Sequence, residues 1–157
     1  MQVAIRKARA EDAVAIARLF HETVHRVNAA DYSPSQLQAW SPEVRPASFW
    51  KRRFRKHQVL VAAADDAVVG FAELDARGYI DAFFVHHQSQ RQGVGRQLML
   101  ALFQAARAQG VTRLRADVSI TAYPFFRQMG FQLAKRTKRF YRNQVFRQYQ
   151  MIRSLRR

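Results

Sequence analysis

Gln90-Arg91-Gln92-Gly93-Val94-Gly95-Arg96 joins an apolar run that ends at Val85 to an amphipathic run that begins near Val94. A strand that feeds a glycine turn and then a helix aims several free backbone N–H groups, and the positive end of the helix dipole, at one point in space. That point attracts an anion. At Gly93 and Gly95 a side chain would hold a phosphate away from the backbone, and a tight turn there can require positive φ. Arg91 and Arg96 add charge at the rim. Glycine pairs of this kind also occur in ordinary turns, so the flanks decide.

Upstream, residues 59–64 and 68–74 are apolar runs separated by Asp65-Asp66, which read as an antiparallel hairpin, and residues 78–85 read as a third strand. In that strand Tyr79, Asp81, Phe83 and Val85 share one face, and Ile80, Ala82 and Phe84 the other. Asp81 lies among apolar neighbours, where a carboxylate either pairs with a nearby arginine or has its pKa raised. Downstream, Val94, Leu98, Ala101, Leu102, Ala105 and Ala106 form one helical stripe closed by Gly110. Residues 114–118 predict a strand and 124–129 a short helix with Pro124 in its first turn and Gly130 past its end. From Phe131 the chain finishes as a hairpin. At the other end, residues 3–6 read as a strand, and Glu11-Asp12 opens a helix carrying Val14, Ile16, Ala17, Leu19, Phe20 and Val24. Ser33-Pro34, Ser41-Pro42 and Pro46 break residues 28–48 into short helices. The aromatics there, Tyr32, Trp40, Phe49 and Trp50, either line a pocket or cap a core.

With 157 residues, 48% of them hydrophobic, the chain can bury one respectable core, so a single domain over residues 1–157 is expected. The absence of cysteine excludes disulfides, thiolate metal sites and a cysteine nucleophile, and fits a reducing compartment, the cytoplasm being the simplest address. No apolar run reaches the roughly 18 residues of a membrane span, and no signal-peptide core is present, so no membrane partner is expected. The charge is the outlier: 27 Lys and Arg against 11 Asp and Glu give +16. Such a field favours nucleic acid, anionic lipid or a phosphate-rich cofactor. Most of these cations, including the run from Lys51 to Lys56, read as a solvated surface. Arg139-Phe140-Tyr141-Arg142 and Phe146-Arg147 mix aromatics with arginine as single-strand binders do. A nucleic-acid module is nonetheless disfavoured, because no helix-turn-helix, zinc-finger or RNP signature is present and the charge is dispersed. His21 and His25 are helical neighbours without a third ligand, so surface placement is expected and no metal.

The order of elements resembles the GNAT superfamily of N-acetyltransferases over nearly the whole chain. The residues that carry the likeness are Phe83-Phe84-Val85, then Gln90 to Gly95, matching the Q/R-x-x-G-x-G/A signature five residues beyond Val85, then Ala122, Phe125-Phe126 and Gly130-Phe131. Asn28-Ala29-Ala30-Asp31-Tyr32 and Gln36-Leu37 upstream of Trp40 resemble one small bacterial-type branch. The resemblance implies an α/β fold of the α+β type: a mixed, mostly antiparallel sheet of six or seven strands, splayed between its two central strands and flanked by about four helices. It implies acetyl-CoA as co-substrate, with no metal. The pyrophosphate would be held by the N–H groups from Gln92 to Arg96, and the pantetheine would lie along Phe83, Phe84 and Val85, with Ser119, Phe125 and Phe126 on the opposing side. The Val85 N–H would stabilise the tetrahedral oxyanion.

Acetyl transfer to an amine moves two protons. An ammonium with a pKa of about 10 must lose one before attack, and a departing thiolate, whose thiol has a pKa of about 8.5, gains from receiving one. Asp81 is the candidate base by its facing, and Glu73 on the neighbouring strand is the reserve. Family members commonly place a donor tyrosine four residues before the glycine of the Gly-Phe pair, where this chain has Phe126. Tyr123, one helical turn earlier, is the candidate acid, and Ser119 is another hydroxyl near the gap. Tyr32, Trp40 and Glu73 are expected around the acceptor, a primary amine of a small molecule or a protein. A protein that binds acyl-CoA with little turnover is the alternative that Phe126 raises. A homodimer is compatible with the sequence.

Overall fold

In the computed structural model, which describes residues 2–156, seven strands form two antiparallel sheets joined at one parallel bridge. The first sheet has the order β1 (Ala4–Lys7), β2 (Gln58–Ala64), β3 (Ala67–Leu74), β4 (Ile80–Val85). The second has the order β5 (Arg113–Val118), β7 (Gln144–Ser154), β6 (Gln132–Tyr141). Five helices surround them: α1 (Ala13–Arg26), α2 (Pro34–Trp40), α3 (Ala47–Lys56), α4 (Val94–Ala108) and α5 (Tyr123–Gln128). This is the expected class, with one helix more than the sequence suggests. No helix among the described residues is long and apolar enough to cross a membrane.

The first sheet is covered on both faces, which is why residues 59–64 read as a nearly unbroken apolar run. Leu60, Ala72 and Leu74 pack with Leu98, Leu102 and Phe131 on the α4 side. Val59, Val61 and Phe71 pack with Ile16, Leu19 and Trp50 beneath α1 and α3. Each large aliphatic or aromatic side chain removed from water in this way contributes roughly 1.5–3 kcal/mol. Val14 departs from the expected α1 stripe and is 58% exposed. Two helical positions turn the chain by about 200°, so Val14 and Ile16 cannot share a face. α2 begins on a capping box: the Ser33 hydroxyl accepts the Gln36 N–H at 3.2 Å, and the Gln36 side chain accepts the Ser33 N–H at 2.8 Å, with Pro34 following. A third apolar cluster gathers Tyr32, Leu37, Trp40 and Phe146, tying α2 to β7.

β4 and β5 meet at their starts and then separate. Tyr79 and Arg115 form the parallel bridge, and the Arg115 N–H donates to the Gly78 carbonyl at 2.9 Å. The two backbones touch here: a Cβ on Gly78 would stand 2.5 Å from the Arg113 carbonyl oxygen. Beyond this crotch no further bridge joins the strands among the described residues, so β4 and β5 run on unpaired with each other towards Val85 and Val118 and leave a gap in the sheet.

A bulge alters the expected faces of β4. Glu73 pairs with Ala82 and Leu74 with Ile80, leaving Asp81 as the extra residue. Ile80 therefore packs on the α4 side with Phe83, whereas Ala82 and Phe84 pack beneath α1. Asp81 swings to the α3 side and does not share a face with Phe83.

Candidate active site

The turn between β4 and α4 is tied to the strand it leaves. The Gln90 side-chain amide donates to the Val85 carbonyl at 2.7 Å. Arg91 (φ 59°) and Gly93 (φ 82°) are both left-handed. For an arginine that conformation costs on the order of 1–2 kcal/mol, strain of the kind that gathers at functional sites. Gly93 caps α4 and brings no side chain to it. The first ladder bond of the helix runs from the Gln97 N–H to the Gly93 carbonyl at 3.1 Å. The N–H groups of Val94, Gly95 and Arg96 are consequently left without helical partners and point outwards together. Arg91, Gln92 and Arg96 are exposed around them, and Val94 is buried as the first anchor of α4.

The two glycines serve different ends. A Cβ on Gly93 would meet nothing within 4 Å, so positive φ alone explains the residue. A Cβ on Gly95 would lie 3.2 Å from two ring atoms of Phe125 and 3.7 Å from a Val85 methyl, so this glycine keeps the mouth of the opening clear.

Along β4, the ladder decides which amides face the opening. The His86 N–H donates to the Val69 carbonyl at 2.8 Å, and the pairs continue as Val85 with Gly70, Phe84 with Phe71 and Phe83 with Ala72. Bonded and non-bonded pairs alternate in an antiparallel ladder. Val85 and Phe83 thus fall in non-bonded pairs and turn their N–H groups away from β3, into the gap. The Val85 carbonyl on the same edge is occupied by Gln90 and, at 3.5 Å, by the Thr23 hydroxyl. The second inward amide, that of Phe83, is a feature that motif matching alone does not give.

The opposite wall is built by the end of β5 and by α5. Ser119 is committed to the turn: its hydroxyl accepts the Ala122 N–H at 3.1 Å, and its carbonyl accepts the Tyr123 N–H at 3.1 Å. The Tyr32 hydroxyl accepts the Ile120 N–H at 2.9 Å, while burial pushes its pKa up. Tyr32 is buried and Trp40 half-buried, edge to face at 5.4 Å. The Tyr32 and Trp40 rings thus pack into a core cap that braces this wall. Phe125 lies against Phe83 with centroids 5.3 Å apart. Phe126 is buried in the core between Phe83 and Phe131, at 5.8 and 4.9 Å. The Tyr123 ring packs tilted against Tyr149 with centroids 4.5 Å apart, and its hydroxyl has no hydrogen bond to another described residue.

Beneath β3 and β4, Arg53 joins the two carboxylates. Its Nε donates to Glu73 at 2.6 Å and its terminal nitrogen pairs with Asp81. Glu73 is fully buried and its other oxygen meets His57 Nδ1. Two carboxylates share one guanidinium here, and Asp81 is the most exposed member of the group. The sequence reads Arg53 as part of a solvated surface and singles out no role for His57. For Arg53 the signal was helical spacing, since a residue three positions after the buried Trp50 returns to the same face. His21 and His25 are also engaged locally: His21 Nδ1 lies 2.7 Å from the Ser41 hydroxyl and His25 Nε2 2.6 Å from the Ser41 carbonyl.

A split sheet whose gap leads to the unpartnered amides of a helix is the architecture of an acetyltransferase that draws on a phosphorylated acyl carrier. The sequence profile of the acetyltransferase (GNAT) domain matches residues 28–152, and the chain belongs to the GNAT family. Its class is that of the acetyl-CoA-dependent N-acetyltransferases, as expected. It is 33% identical over 136 residues to the uncharacterized N-acetyltransferase YafP of Escherichia coli K12, a match that covers 87% of this chain and 85% of that protein. A GCN5-related N-acetyltransferase from Rhodopseudomonas palustris has a crystal structure superposing with a TM-score of 0.91 at 28% identity, over 98% of this chain and 96% of that one. PaiA N-acetyltransferase from Thermoplasma acidophilum, crystallised with coenzyme A, shares the fold with a TM-score of 0.82 at 19% identity, over 98% and 99% of the two chains.

Proposed function

We propose that the protein transfers the acetyl group of acetyl-CoA to a primary amine, of a small molecule or a protein, by direct attack on the thioester. The observation that carries this reading is the row of inward N–H groups on β4, which begins beside the free amides of α4. The residues fit the cofactor: the turn offers N–H groups from Gln92 to Arg96 for the pyrophosphate, and Gly95 leaves room for the arm to enter. Val85 is adjacent to Gly95, so its N–H meets the arm first. The N–H of Phe83 comes two residues deeper and is the better placed donor for the thioester oxygen, a refinement of the expected role of Val85. Either amide is fixed before the reaction, so it stabilises the oxyanion without reorganisation.

The amine lone pair attacks the thioester carbonyl, the tetrahedral intermediate collapses, and the C–S bond breaks. Asp81 stands two residues beyond Phe83, roughly 7 Å along the strand, and four beyond Val85, roughly 13 Å. It therefore takes the ammonium proton through water, and the residual negative charge of the Arg53–Glu73–Asp81 group draws the ammonium in. Glu73 is buried and ion-paired, so its part is to hold Arg53 and His57. Tyr123, with its uncommitted hydroxyl, supplies a proton to the thiolate and is restored by the second nitrogen proton, which the tetrahedral intermediate loses as the amide forms. Holding both reactants at one place supplies much of the rate.

Thiol release from acetyl-CoA across a panel of amines tests this. Turnover on at least one amine is expected; acetyl-CoA binding with no turnover on any of them would favour an acyl-CoA-binding role, the reading that Phe126 motivates.

A further inference from the structure

We propose that the β6–β7 hairpin is a docking surface for single-stranded nucleic acid, separate from the acetyl-transfer opening. Residues 132–154 carry Lys135, Arg136, Lys138, Arg139, Arg142, Arg147 and Arg153 and no Asp or Glu. Lys138 stands directly opposite Arg147 across the ladder. Like charges in that position repel, and no acidic neighbour within the hairpin relieves them. Two residues towards the tip on the same face, Phe140 stands opposite Val145. Phe140 is 78% exposed, the most exposed large apolar side chain among the described residues. Two residues towards the base, Arg136 stands opposite Tyr149, which packs against Tyr123 of α5. One face of the hairpin is thus a strip of a bare aromatic ring followed by three cations, running towards the active-site wall.

The chemistry of the strip selects its occupant. Phosphates satisfy a ladder of repelling cations, and a flat, unpartnered ring at the end of that ladder offers a stacking platform for an unpaired base. A duplex hides its base faces and would leave Phe140 idle; an acidic peptide would use the charges and do the same. Arg139 and Arg142 lie over Tyr141, at 5.1 and 4.8 Å, and thicken the positive field on the other face.

Fluorescence anisotropy with a labelled oligouridylate of about 20 nucleotides, set against a DNA duplex of equal length and a polyglutamate peptide, tests the proposal. The intact chain should bind the single strand most tightly. Phe140→Ala should weaken that binding by roughly 5- to 150-fold with the salt dependence unchanged, as the loss of one base stack requires. The double variant Lys138→Gln, Arg147→Gln should lower the slope of log affinity against log salt by about 1.4, two phosphate contacts at ~0.7 each. Circular dichroism and acetyl-CoA titration should find both variants folded and binding the cofactor as the intact chain does. Equal binding of the duplex or of polyglutamate, no binding of the oligonucleotide at low salt, or an unchanged affinity in Phe140→Ala would each overturn the assignment.

Discussion

Replacing each glycine of the turn by alanine, and Gly95 also by leucine, separates backbone strain from cofactor clearance. At Gly93 the added methyl meets nothing within 4 Å, so only the left-handed conformation (φ 82°) resists it. That conformation costs an L-residue on the order of 1–2 kcal/mol. For a chain of this length about 1 kcal/mol lowers the melting temperature by roughly 2–4 °C. At Gly95 the backbone is ordinary helix, and alanine there gains roughly 0.5–1 kcal/mol over glycine. Against this, the methyl would lie 3.2 Å from the Phe125 ring, which must move by a few tenths of an ångström, so the two effects nearly cancel. The functional consequence takes a larger side chain, because the signature admits alanine at this position. A leucine at Gly95 would fill the mouth of the β4–β5 opening, and displacing the pyrophosphate from one charge-assisted N–H contact costs roughly 1.5–3 kcal/mol, or about 10- to 150-fold in Kd. The measurements are thermal unfolding followed by circular dichroism, and calorimetric titration with coenzyme A. Gly93→Ala should melt a few degrees lower; Gly95→Ala should melt close to the parent and keep its coenzyme A affinity, whereas Gly95→Leu should bind coenzyme A at least tenfold more weakly. A Gly95→Leu protein with undiminished affinity would refute the placement of the cofactor's entry at this point.

Asp81→Asn should lower turnover and leave coenzyme A affinity largely intact; if the rate is unchanged across pH, Asp81 is not the base. Tyr123→Phe should lower the rate most for acceptors whose acetylation is limited by thiolate departure, and an unaltered kcat on every active amine would remove Tyr123 from the scheme. Burial, followed by the neighbouring His25 or His87, holds His21 and His86 below the usual imidazole range. Such groups are preferentially neutral in the folded chain, so the unfolded chain takes up protons first as pH falls below about 6.5. Stability should be flat above that value and decline beneath it, and His21→Gln should flatten part of the decline in melting temperature between about pH 7 and 5. Asp12 behaves as an acid-side counterpart. Arg6 bonds it at 2.8 and 3.1 Å and, despite burial, holds its pKa down. Its contribution is present above the usual carboxylate range and lost as pH falls through the lowered value, so Asp12→Asn should reduce the melting temperature more at neutral pH than below about pH 3.

The turn was legible because its determinants are local. A strand, a glycine in αL and a helical stripe follow one another within 90–96 and its flanks, and each leaves its own period or residue type in the chain. What escaped was set by pairing across sheets. Nothing near Asp81 in sequence announces that Leu74 will pair with Ile80, yet that one-residue slip carries the carboxylate from the opening to Arg53. The Arg53–Glu73 pair was hidden for a related reason: within the run Lys51 to Lys56 only helical phase distinguishes a half-buried cation that faces Glu73 from those that face water. Phe126 shows the same division between residue type and setting. Its identity in the sequence warned that the usual donor is missing, while its burial against Phe131 shows that the chain has used the position for packing. On the mechanism proposed above the proton donor comes from a neighbouring turn, where Tyr123 is the one hydroxyl on α5 and has no hydrogen-bond partner among the described residues.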